Sequence, residues 1–251
     1  MDFKKRNFSP RATKPSLPLL IGRKPVVEAL ANGTAIEKIF LLRTATGEEI
    51  TQIKMLARER NIPISQVPVE KLNGMSKAQH QGVVAYSSLL EYIELQEAID
   101  FVVAKGETPL FVLLDGLTDV RNVGAIARSA LCCGAQALIL PTSNSASLTE
   151  EAIKTSAGAL RQIMLCRTPS VAQALDILKL NGIQILGSFM KGSIPVYDAV
   201  MTLPTAVVMG AEDTGISKEV IRVADQLISI PMAKAFDSLN VSVATGMILY
   251  E

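Results

Sequence analysis

Hydrophobic and polar positions follow one rhythm up to about residue 90 and another from residue 109 onward. In the first stretch, Ile36 to Leu42, Ile62 to Val67 and Gly82 to Tyr86 are short apolar runs that read as strands. Glu48 to Arg60 places Ile50, Ile53, Leu56 and Ala57 on one face at helical spacing. Val26 to Leu30, led in by Pro25, and Val69 to Met75 read as shorter helices, so residues 19–90 form a small α/β unit. Leu90 to Gly106 reads as a helix, with 91–108 joining this unit to the next. From Pro109 the pattern becomes strand, loop, helix. Leu110 to Leu114 is an unbroken apolar run of the kind buried on both faces of a parallel sheet. Ala137 to Leu140, Ile183 to Gly187, Ala206 to Met209 and Leu227 to Ile230 are further strands. Gly124 to Cys133, Leu148 to Ala159, Ser170 to Leu180, Ser217 to Val223 and Val241 to Leu249 read as helices. The expected class is α/β: a small N-terminal α/β domain, then a parallel-sheet α/β domain over 109–251.

Composition narrows the function classes. Hydrophobic residues make up 49% of the 251, enough for a sizeable core. Trp is absent and aromatics amount to 4%, so base stacking on aromatic platforms is not the expected mode of any nucleic-acid contact. The net charge of +1 is unevenly placed: residues 1–24 carry seven Lys or Arg against Asp2 alone, a net +6, which leaves −5 for the remainder. Residues 1–18 read as a basic flexible arm, suited to a polyanion or serving solubility. Cys132, Cys133 and Cys166 form no CxxC pair, and His80 is the single histidine, so neither a disulfide framework nor a metal site is expected. Such cysteine usage fits a reducing, cytoplasmic setting. The N-terminus lacks the apolar core of a signal peptide and no run of about 18 uncharged apolar residues occurs, so no membrane span is expected.

Three loops carry candidate chemistry. In open α/β sheets, ligands bind beyond the carboxyl ends of strands. The loops are DGLTDVRNVGAIARSA (115–130), GAEDTGIS (210–217) and PMAKAFDSLNVS (231–242). No GxGxxG is present, and Gly210-x4-Gly215 is followed by Ile216 where a phosphate loop requires Lys. Ser238-Leu239-Asn240 stands directly before an apolar helical run, where capping side chains and free N–H groups suit a polar ligand read through backbone atoms. Each loop alone also reads as ordinary turn or cap chemistry.

Together and in this order, the three segments resemble the signature motifs of the SpoU (TrmH) family of RNA ribose 2′-O-methyltransferases, in the SPOUT class. The matching residues are Asn122, Gly124 and Arg128; Gly210, Glu212 and Gly215; and Pro231, Met232, Ser238, Leu239, Asn240, Val241 and Ser242. The front unit, with GRKPVVEAL near its start and HQGVVA at its end, resembles the RNA-binding domain of the ribosomal-RNA members. The resemblance implies a C-terminal trefoil knot, which general topology rules would not anticipate. It implies S-adenosyl-L-methionine as cofactor, contacted by Gly210, Ile230 and Leu239 and shaped by Ser238. It implies Arg128, Asn122, Glu212 and Asn240 as the catalytic set, a homodimer with the site near its interface, and ribosomal RNA, of the large subunit, as substrate. Arg128 is the residue assigned as base in the family; as a guanidinium it serves equally as a fixed cation that lowers the hydroxyl's pKa. Asn122 is expected to orient that arginine or a substrate phosphate, and Glu212 to pin a loop or pair with Arg128. His80 is expected to be structural. Family sequences commonly have Gly where Lys234 stands, so the resemblance implies that a long cation there either narrows the cofactor pocket or reaches phosphate. A transfer-RNA methyltransferase and a non-catalytic RNA-binding or ribosome-assembly factor are the alternatives.

Overall fold

Strand pairing sorts the chain into two sheets, one of four strands and one of seven. The structure is a computed structural model that describes residues 18–143, 147–191, 193–233 and 238–251. Lys234 and the basic arm, Pro18 apart, lie outside these residues.

The first sheet holds β1 (Leu19–Ile21), β2 (Ile36–Leu42), β3 (Ile64–Val67) and β4 (Val83–Ser87) in the order β1-β4-β2-β3. β3 runs parallel to β2, and β4 is antiparallel to both β1 and β2. Helices α1 (Arg23–Ala31) and α2 (Glu48–Glu59) bury Val26, Leu30, Ile50, Ile53 and Ala57 against Ile39, Leu41 and Val83. On the opposite face, α3 (Val69–Met75) sets Leu72 against Phe40 and Val84. β1 spans three residues, too few to register as a pattern in sequence.

The second sheet is parallel throughout. Its strands are β5 (Leu110–Asp115), β6 (Ala137–Pro141), β7 (Met164–Thr168), β8 (Gln184–Ser188), β9 (Ile194–Pro195), β10 (Thr205–Gly210) and β11 (Gln226–Ser229), in the order β7-β6-β5-β10-β8-β11-β9. All six residues of β10 are buried, as its unbroken apolar run requires of a central parallel strand. Helices α5 (Val120–Cys132), α6 (Glu150–Thr155) and α9 (Val241–Tyr250) cover one face. Helices α4 (Leu95–Ala104), α7 (Val171–Leu180) and α8 (Lys218–Val223) cover the other. Two expected helices are shorter than their apolar patterns. Residues 90–93 are not helical; Ile93 bridges to Cys166, and the helix begins only at Leu95. Its Leu95, Ala98, Ile99 and Val102 belong to the core of the second sheet. The helix expected over Leu148 to Ala159 ends at Thr155, because Ala157 (φ 50°) and Gly158 (φ 88°) turn left-handed. Strand β7 has no clear signature in sequence, since Arg167 interrupts its apolar run.

The two units meet across a buried polar cluster. The carboxylate of Glu37, on β2, accepts from Arg167 Nη2 at 2.6 Å, from the Tyr92 hydroxyl at 2.7 Å and from the backbone N–H of Leu148 at 2.8 Å. Arg167 Nη1 also donates to the carbonyl of Ile36 at 2.7 Å. Burial drives the Tyr92 phenol well above its ordinary pKa, so it remains a donor. Beside this cluster Asn61 Nδ2 donates to Glu94 at 3.1 Å.

Candidate functional site

The carboxyl ends of β8, β10 and β11, with the segments that follow them, enclose a cavity of about 450 Å³. Met209, Ile230 and Leu239 supply apolar wall, and Gly210, Ala211 and Ser238 line it as well. All four residues expected to contact the cofactor, Gly210, Ile230, Ser238 and Leu239, line this space. Gly210 is required by packing: a Cβ there would overlap the carbonyl carbon of Gly215 and the amide of Ile216. Gly215 itself turns at φ 67°, which favours glycine.

One carboxylate ties the three motif segments together. Glu212 Oε1 accepts from Asn240 Nδ2 at 2.6 Å and from Asn122 Nδ2 at 3.3 Å, and Asn240 Nδ2 also reaches Asn122 Oδ1 at 3.1 Å. The N–H of Val241 approaches the same Glu212 oxygen at 3.4 Å. Asn240 is the N-cap of α9: its Oδ1 accepts from the N–H of Ser242 at 3.0 Å. Glu212 is thus an anchor for the start of α9, and among the described residues it forms no ion pair with Arg128.

Arg128 is not brought into this junction. It follows Asn122 on α5 by six residues, about 9 Å along the axis and about 240° around it, so the two side chains leave different faces. Arg128 is exposed and lines a separate depression with Ser129, Cys132, Ser242, Met247 and Tyr250, between α5 and α9. Asn122 bonds to Glu212 and Asn240, not to the arginine. The other motif glycine, Gly124, is a packing residue: a Cβ there would lie 2.6 Å from the carbonyl oxygen of Ala152, so its absence lets α5 rest on α6.

Several residues that no sequence pattern marks also shape the site and its surroundings. Buried Asp115, at the end of β5, accepts from the N–H of Ser217 at 2.6 Å and holds the second loop to the first. Asp119 caps α5 by accepting from the N–H of Arg121 at 2.8 Å. The Arg121 guanidinium beside it holds its carboxyl below the usual range. Phe189, Met190 and Lys191, after β8, line the cavity; the only signal for them was their place beyond a strand end. His80 accepts the N–H of Gly82 at Nδ1 and meets Asn73 Oδ1 through Nε2 at 2.9 Å, in keeping with a structural role. Burial lifts the Cys166 thiol to about 12, which removes it as a nucleophile.

A second concavity, about 840 Å³, opens at one end of the first sheet and is lined by Arg23, Lys24, Thr44, Thr46, Gln79 and Gln81. Arg23 braces its walls, donating to the carbonyls of Gln81 and Thr46 at 3.0 Å. Lys24, at the start of α1, and Arg43 and Lys77, in nearby loops, stand exposed and make no ion pair among the described residues. No helix among the described residues is long and apolar enough to cross a membrane, and no group of three His, Cys, Asp or Glu there could hold a metal ion.

Known proteins resemble the chain over both of its units. Residues 109–250 match the family model of the SpoU rRNA methylase family, and residues 19–93 match that of RNA 2′-O ribose methyltransferase substrate binding. YacO of Bacillus subtilis, whose name places it in the TrmH family of tRNA/rRNA methyltransferases, is 34% identical over 232 residues, 92% of this chain and 93% of its own. The crystal structure of the SpoU methyltransferase AviRb from Streptomyces viridochromogenes, in complex with AdoMet, aligns with a TM-score of 0.59 at 26% identity, over 92% of this chain and 87% of that one. The TrmH/SpoU tRNA modifying enzyme of A. aeolicus aligns with a TM-score of 0.53 at 31% identity, over 57% of this chain and 73% of that one. The match over more than half of its length places this chain in the SpoU rRNA methylase family.

Proposed function

We propose that the protein methylates a ribose 2′-hydroxyl in ribosomal RNA, of the large subunit, with S-adenosyl-L-methionine as donor, in the cytoplasm. The observation that carries this reading is the Glu212–Asn122–Asn240 junction, which joins three separate motif segments at the mouth of one cavity. The cavity fits the donor's chemistry. Apolar Met209, Ile230 and Leu239 suit an adenine ring, backbone groups around Gly210 and Ser238 suit its polar edge, and the carboxylates of Glu212 and Asp213 suit a cation. When bound, the donor supplies an already activated methyl group. The protein's task is then to place a weakly nucleophilic hydroxyl in line and to stabilise developing negative charge on its oxygen. Arg128 suits that task as a fixed cation near the neighbouring phosphate, and Asn122, Glu212 and Asn240 hold the helix starts that frame the site.

We infer that Arg128 serves across a homodimer interface. It lies outside the cavity of its own chain, in a depression beside Val243, Met247 and Tyr250, apolar side chains left open to solvent. A second copy seated there buries them and brings one chain's arginine toward the other's cavity. We assign residues 19–90 to RNA binding, with the end that bears Lys24, Arg43 and Lys77 facing phosphate and the basic arm adding non-specific attraction. Residues 91–108 join them to a methyltransferase domain over 109–251, whose C-terminal segment threads the knot. Support for that threading comes from the strand order, in which the chain returns from edge strand β9 to central β10, passes out to β11, then sends α9 back onto α5.

The test is incubation with labelled donor and unmodified total RNA, followed by mapping of the labelled nucleotide. Label on a ribose of ribosomal RNA is expected. Label on transfer RNA would move the substrate, and label on a base or on nothing would overturn the reading.

A further inference from the structure

The Glu37–Arg167 cluster plays no part in enclosing the cavity, yet among the described residues its carboxylate joins the two units through Arg167, Tyr92 and Leu148. Building on the RNA-methyltransferase reading above, we propose that Glu37 and Arg167 are positioning residues. Their pairing locks the RNA-holding unit onto the catalytic rim, so that RNA gripped by one unit is presented at a fixed span to the cavity of the other.

Four observations lead there. The ion pair is buried, with side chains 8% and 3% exposed for Arg167 and Glu37. Its donors come from separate parts of the chain: Arg167 from β7, Tyr92 from the connection, Leu148 from the loop before α6, and Ser88 at 3.4 Å from the end of the first unit. The Arg167 guanidinium also stacks 3.5 Å from the centroid of the Tyr92 ring. Finally, the cluster sits on the functional edge of the second sheet. Arg167 is the fourth of five residues in β7 and Leu148 follows β6, so both lie at the carboxyl ends of parallel strands, on the same rim as the three motif loops. From Leu148 the chain enters α6, which carries the Gly124 contact with α5, the helix of Asn122 and Arg128.

The physical argument turns on direction rather than strength. Desolvating two charges offsets most of what their attraction returns, so a buried ion pair is a poor choice for stability alone. A planar guanidinium engaging a carboxylate and two backbone carbonyls is satisfied in one orientation only. Apolar surfaces in its place would bury comparable area and still slide. A methyltransferase needs the fixed orientation, because small misplacements of the reacting hydroxyl cost large factors in rate.

The experiment compares wild type with the paired variant Glu37→Gln/Arg167→Met, which removes both charges together. We expect small-angle X-ray scattering to show a larger, more variable separation of the units. We expect donor affinity by calorimetry and RNA affinity by filter binding to stay within about twofold, while kcat/KM for methyl transfer falls about 100-fold. Tyr92→Phe, which removes only the hydroxyl donation, should lower transfer by about threefold to tenfold with binding unchanged. Paired-variant units that stay docked, or units that separate without loss of transfer, would overturn the proposal. So would equal losses of donor affinity and transfer, the pattern of a general structural defect. Should the paired variant not fold, wild-type transfer by Tyr92→Phe overturns it alone. A wild-type protein that methylates no RNA would instead sink the functional reading, while the scattering still decides whether the pair locks the units.

Discussion

Asn240 Nδ2 donates to Glu212 Oε1 at 2.6 Å, and this bond joins two loops 28 residues apart in sequence. Asn240 simultaneously caps α9 through its other amide atom, so one side chain sets where the last helix starts and to which loop it is tied. Ser238 and Leu239, the cavity wall immediately before it, inherit their placement from that tie.

Glu212→Ala should therefore act on ligand binding rather than on folding. The lost bonds are at an exposed carboxylate, so the stability cost should be no more than about 1 kcal/mol. Donor affinity, measured by calorimetry, should weaken about tenfold as the Ser238–Leu239 wall loosens. Glu212→Gln keeps an acceptor oxygen and should recover most of that loss. Unchanged affinity in the alanine variant would detach this junction from the cavity.

Gly210→Ala should fail in a different way. The added methyl meets backbone at Gly215 and Ile216, not a flexible side chain, so the loop after β10 must shift bodily. We expect a stability loss of about 3 kcal/mol, at the upper end of overpacking costs, together with loss of donor binding. Urea denaturation with near-wild-type stability would show that the loop gives way more easily than its contacts imply.

Arg128→Ala separates chemistry from binding. The side chain is exposed and lines no part of its own chain's cavity, so stability should change by less than about 0.5 kcal/mol and donor affinity not at all. Methyl transfer should fall by at least about 100-fold, the scale of losing one charge-stabilising group. Transfer at the wild-type rate would remove Arg128 from the mechanism.

The α5 cap gives a pH test. Asp119→Ala should cost about 1 kcal/mol near neutrality. Because Arg121 lowers the folded-state pKa of Asp119 below its unfolded value, the charged cap's contribution is full above the ordinary carboxylate range. It is lost as pH falls through the depressed folded-state value. The stability gap between wild type and variant should narrow on acidification, and a gap that widens would contradict the capping assignment.

Hydrophobic periodicity and local turn chemistry determined a good deal by themselves. The parallel strands β5, β6, β8, β10 and β11, most helices and the three loops beyond strand ends were legible because each depends on residues close in sequence. The four cavity residues Gly210, Ile230, Ser238 and Leu239 came instead from the resemblance to the SpoU (TrmH) family, carried over onto positions in and beside its motifs. Tertiary structure decided the rest. Strand β7 carries Arg167 among apolar neighbours, and only a partner 130 residues away makes burying that charge tolerable. Glu212 found Asn122 and Asn240 rather than Arg128 because helix phase points the arginine off another face of α5, which no spacing rule applied across separate loops could reveal. A side chain's own element follows from its neighbours in sequence; its partner follows from how the elements pack, and charged groups are where the two diverge most.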